Sequence, residues 1–115
     1  MKTSIQLSLV LLIFSLCSAF TNLKNDGLNV TYGVSKSDPS QIELKLNADY
    51  TFTYQDFSNT AQKIAVNGTY QIKNHQIQLI SKDKEINYHN KWKISNDHKT
   101  AKSRKGLSFY TLHIK

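Results

Sequence analysis

Four histidines, His75, His89, His98 and His113, are the first residues to ask for chemistry, because imidazole serves both as a metal ligand and as a base near neutral pH. No two have the close spacing of a metal clip, and three fall in or beside segments that read as turns or broken strands. Ligands can converge from distant strands, but the pattern favours exposed polar side chains and no metal. Acyl transfer would need an activated nucleophile, a base within reach and oxyanion donors. Ser108 stands near Gly106, yet Lys105-Gly106-Leu107-Ser108-Phe109 is not a strand-turn-helix nucleophile elbow. Of the carboxylates near residue 50, Asp49 has the role of a turn residue and Asp56 that of a loop residue, which leaves Glu43. No glycine-rich phosphate cradle occurs. The expectation is a non-catalytic protein without a cofactor.

The aromatic residues offer a different chemistry. Tyr50, Phe52, Tyr54 and Trp92 could line the mouth of a small barrel and take a small apolar ligand. In a chain of this size the same rings could instead fill the interior, leaving a protein-interaction or structural module that uses a sheet edge or a basic loop. Three of the four sit on Gln41 to Gln55, where Ile42, Leu44 and Leu46 share one face of a period-two segment and Tyr50, Phe52 and Tyr54 share one face of the next. The Asn-Ala-Asp between them suits a turn, so the stretch predicts a β-hairpin with one apolar face. An isolated hairpin is marginal in water, and further strands must cover that face.

The chain supplies them. Leu28 to Val34 alternates, and Ser35 to Ser40, with Pro39, breaks the pattern. Lys63 to Lys73 reads as one bent strand, in which Gly68 marks a bulge, a bend or a close backbone approach. Asn74-His75 makes a two-residue turn into Gln76 to Ser81. Ile86 to Ser95 predicts a further strand carrying Trp92, Asn96 to Lys99 a turn, and Leu107 to Lys115 a closing strand whose apolar residues change parity. Lys99, Lys102, Arg104 and Lys105 form the densest positive stretch and read as a solvated basic loop.

At the N-terminus, residues 1–19 combine Lys2, an apolar run from Leu7 to Leu16 and small residues ending at Ala19, the pattern of a secretory signal peptide. Cys17 could alternatively carry a lipid anchor, but Leu16 before it and Phe14 suit that signal poorly. Residues 20–115 then form one domain with no cysteine, no disulfide framework and no transmembrane segment. The formal charge of +7 favours polyanionic partners in general. Export argues against nucleic acid, so a small apolar ligand or an envelope protein is the expected partner.

Seven or eight short strands at intervals of roughly ten residues predict an all-β, single antiparallel up-and-down meander, closed or partly open as a barrel. A two-sheet sandwich is the alternative. Three pieces carry a family resemblance: L-x-L-x-x-D-x-T-F at Leu44 to Phe52, G-T-Y at Gly68 to Tyr70, and I-x-L-x-S at Ile77 to Ser81. Over Ile42 to Leu112 the chain resembles small exported bacterial proteins with lipocalin-like or NlpE-N-terminal-like β-barrels. The resemblance implies an exported antiparallel barrel. The copper-resistance member of that group carries a Cys-x-x-Cys motif that this chain lacks, so no metal or redox role is implied.

Overall fold

The computed structural model describes residues 27–83 and 85–115, and the expected leader, with Cys17, lies outside the described residues. Eight antiparallel strands follow in order: β1 (Val30–Gly33), β2 (Glu43–Leu46), β3 (Thr51–Asp56), β4 (Ile64–Lys73), β5 (Gln76–Ser81), β6 (Lys91–Ile94), β7 (Thr100–Lys105) and β8 (Ser108–Ile114). Each pairs with its neighbour, and β8 returns to β1 through Tyr32–Ile114 and Gly33–His113, closing a barrel. The expected meander is therefore closed, and the sandwich is excluded.

Period-two patterning decides what goes inside. Leu44, Leu46, Phe52, Tyr70, Leu79 and Leu112 all point inward and are buried, while Lys45, Thr53 and Gln71 between them stay exposed. Burying each large apolar side chain contributes roughly 1.5–3 kcal/mol, which is what holds a cysteine-free domain together. Gly68 pairs with Phe52 on one side and Ser81 on the other. A Cβ there would run into the carbonyl group of Ile80 and approach Ser81 Cα to 3.1 Å, so close backbone approach is the reason for this glycine.

The turns follow their residues. Asn74 and His75 both have positive φ (52° and 65°), as a type I′ hairpin requires. Asn47 to Thr51 forms a three-residue loop ending with Tyr50 at φ 65°, closed by Asn47 N–H donating to Thr51 O at 2.9 Å. Asp49 accepts from Thr51 N–H at 3.1 Å, the role its position predicts. Gly106, at φ +59°, opens the two-residue β7–β8 turn with Leu107.

Two elements depart from the sequence reading. The basic stretch expected to be a loop is strand β7, whose inward residues are the small Ala101 and Ser103 and whose outward residues are Lys102 and Arg104. No apolar alternation advertised it. β6 is shorter than expected, because Ile86 to Asn90 lies outside any strand and only Lys91–Ile94 pairs.

Candidate functional site

The four aromatics expected at a barrel mouth do not occupy one place. Phe52, Tyr54 and Trp92 are buried in the core, with Tyr54 packing on Trp92 at 5.9 Å between centroids. Tyr50 is half-buried in the β2–β3 loop and packs instead against Tyr70 at 5.5 Å. Tyr70 pins that end: its hydroxyl accepts from Leu28 N–H at 2.8 Å and donates to Asn47 O at 2.6 Å. Of the four, Trp92 alone also borders the surface hollow described below.

That hollow is a groove of about 660 Å³ on the outer face of β4 to β8. Its size falls within the range of small-molecule sites. Lys73, Lys91, Lys93, Lys102 and Arg104 stand around it, and no carboxylate is among its lining residues. Phe109 gives it exposed apolar surface, and its floor backs onto the buried Ile77 and Trp92. Its origin is a short ladder. β6 and β7 pair through Ile94–Ala101 and Lys93–Lys102, and the register stops there, leaving Lys91 and Trp92 unpaired with Arg104 and Ser103. A slot between the two strands thus reaches from the outer face toward the indole of Trp92, itself 2% exposed.

The charge arrangement is unfavourable for the fold. Lys93 and Lys102 face each other directly across the ladder, a like-charge pair that sheets normally avoid. Lys91 and Arg104 lie one alternation further along the same two strands. Four cations gathered on adjoining strands without a counter-charge set up a local field that attracts anions.

A second polar constellation occupies one end of the barrel. Asp56, His89 and Ser103 are the buried polar side chains among the described residues, exposed by 5%, 6% and 6%. Asp56 accepts from Tyr110 Oη at 2.8 Å and Ser58 N–H at 2.9 Å, with Tyr54 Oη at 3.4 Å. Burial pushes the Asp56 carboxyl upward, but these hydrogen bonds outweigh it and hold it below the ordinary aspartate value. His89 lies between two hydroxyls, Nδ1 2.9 Å from Ser103 Oγ and Nε2 3.1 Å from Ser108 Oγ, and stacks on Tyr110 at 4.1 Å. Desolvation lowers its pKa; Asp56 opposes that and Lys105 adds to it. Trp92 Nε1–H donates to His89 O at 2.8 Å, joining this network to the groove.

Sequence reasoning brought together none of these residues, since positions 56, 89, 103, 108 and 110 share no local motif. The Ser108–His89 contact resembles half of a nucleophile-base pair, but a hydroxyl stands where an orienting carboxylate would act on Nδ1. The groove does not reach Ser108. Burial in this network disfavours the charged form of His89, and the contact with Ser108 ties it to the start of β8. Elsewhere His75 and His98 approach to 5.8 Å between ring centroids, a pairing distant spacing concealed, and no third potential ligand joins them into a cluster among the described residues. In comparisons with family models, curated proteins and solved structures, the chain matches none of them.

Proposed function

We propose that this protein is a non-catalytic, exported binding module whose ligand seat is the outer groove between β6 and β7. The observation that carries the reading is the groove itself: the exposed ring of Phe109 over a floor that backs onto the buried Ile77 and Trp92, ringed by five cations and with no acid among its lining residues. Such a surface suits a small amphiphile with an apolar body and an anionic group. The ligand expected from the sequence was apolar and placed in the barrel mouth; the seat we propose lies on the outer face and its ligand carries an anionic group, on the strength of the cations around the groove. Kinship with lipocalin-like or NlpE-N-terminal-like proteins remains part of this proposal, supported by the eight-stranded closed meander. Export is likewise proposed, from the character of residues 1–19.

The chain's single tryptophan makes the test direct. Titration with dodecanoate should change Trp92 emission, and dodecanol, matched in chain length but uncharged, should bind at least tenfold more weakly. Lys91→Glu combined with Lys93→Glu should remove the dodecanoate response. Equal affinity for the acid and the alcohol, or no response by a folded protein to either, rejects the groove as an anion site. Silence toward both ligands would favour the competing reading, a filled barrel that acts as an interaction or structural module.

A further inference from the structure

The tip of the β7–β8 hairpin presents its largest apolar side chains to solvent. Leu107, in the turn after Gly106, is 94% exposed, and Phe109, the first outward position of substance on β8, is 66% exposed. Neither is used by the core, and a two-residue turn needs no leucine at its second position. A polar residue would serve the turn better. The surroundings of these two side chains are cationic. Arg104 lies over the Phe109 ring at 5.0 Å, directly across the ladder from it, and Lys102 follows on the same outer face of β7. Lys91 and Lys93 continue that charge onto β6. Every outward side chain on β6, β7 and β8 is neutral or basic.

We propose that this hairpin docks the protein on the surface of an anionic lipid bilayer. Leu107 and Phe109 enter the boundary between headgroups and acyl chains, and Arg104, Lys102, Lys91 and Lys93 meet the negative headgroups. The bilayer is chosen over a soluble polyanion because the most exposed residue of the patch is aliphatic. Leucine offers nothing to a phosphate chain or a stacked base, but it gains by leaving water at an interface. Apolar insertion and headgroup attraction act together in peripheral membrane binding, and either alone gives weak, reversible attachment. The inference rests on the exposed tip and holds whether or not the groove takes a ligand.

Co-sedimentation of the full chain with vesicles tests it. Vesicles of phosphatidylcholine mixed with phosphatidylglycerol should retain the protein at least tenfold better than phosphatidylcholine alone, and raising the salt from 0.1 to 1 M should release most of it. Leu107→Asp should lower binding to the anionic vesicles at least tenfold. Because Leu107 packs against nothing, circular dichroism and the dodecanoate response of the variant should match those of the parent, which separates this proposal from the groove reading. The N-terminal segment is the same in both proteins, so their difference reports the hairpin. Binding that is unchanged in Leu107→Asp, or equal on neutral and anionic vesicles, overturns the proposal. So does binding to single-stranded DNA that exceeds binding to the anionic vesicles and is indifferent to Leu107→Asp, which would make the patch a soluble polyanion site.

Discussion

Asp56 and His89 show how much a single polar side chain can govern inside a small barrel. Asp56→Asn keeps the shape but turns one acceptor into a donor facing Tyr110 or Ser58, and it should cost about 1–3 kcal/mol in urea unfolding. Both groups have folded pKa values below their ordinary ones, so the unfolded chain binds more protons at intermediate pH and acidification favours unfolding. For His89 the stabilising contribution is complete above about pH 6.5 and is lost as pH falls below it. For Asp56 it persists until about pH 3.8 and declines below that. The melting temperature should therefore be level near neutrality, start to fall below about 6.5 and fall again below about 4. His89→Gln should flatten the first decline and leave the second. None of this was legible in the sequence. Asp56 looked like a loop residue and Ser108 an unsupported one, because their partners come from four different strands and connections.

At the scale of elements, alternation served well wherever the inward residue was large. It marked β2, β3, β4 and β5, and it marked Gly68 as a point of constraint. Gly68→Ala should destabilise by about 3 kcal/mol, the upper end of ordinary overpacking, because the obstructing Ile80 carbonyl belongs to the backbone and cannot rotate away. β7 escaped notice for the opposite reason: Ala101 and Ser103 are the inward residues, too small to stand out among lysines. The Asn74-His75 turn was legible from its position, although histidine is an awkward occupant of a left-handed site. His75→Gly should raise stability by about 1 kcal/mol in thermal or urea melts. Where β6 meets β7, Lys93→Glu should convert a repelling pair with Lys102 into an attracting one and gain about 0.2–1 kcal/mol, while weakening the dodecanoate response. A gain in stability accompanied by loss of binding would mark Lys93 as a residue kept for its ligand and not for the fold.

For the molecule as a whole, an antiparallel meander of seven or eight strands was readable from spacing and the lack of helical period, while the count of eight and the closure of β8 onto β1 came from the structure. The position of a site was not readable. Predicted faces said which aromatics point inward but not that Phe52 and Tyr54 would be sealed in the core, that Tyr50 would lean on Tyr70, or that Trp92 would back onto a groove on the opposite side of its own strand. Nor could the diffuse positive charge be seen to concentrate. Residues 73, 91, 93, 102 and 104 become neighbours only when the four consecutive strands β4 to β7 lie side by side. The assembly also ties distant parts of the chain together: Lys115 N–H donates to Thr31 O at 2.9 Å, and its ammonium pairs with Glu43 at 3.1 Å. That exposed ion pair contributes little by itself, and the seam between β1 and β8 depends on the backbone bonds beside it.

A tube stitched all the way round resists opening everywhere equally, whereas one with a gap in its stitching breathes there first. The alternation of the β6–β7 ladder makes Lys91 and Arg104 the next couple after Lys93 and Lys102, and those strands never complete it. Their amide protons should trade with deuterated water well ahead of the amides of Lys93 and Lys102. An occupant wedged into the gap should slow that exchange, so the same missing stitches that weaken the wall would also report when something has come to rest against it.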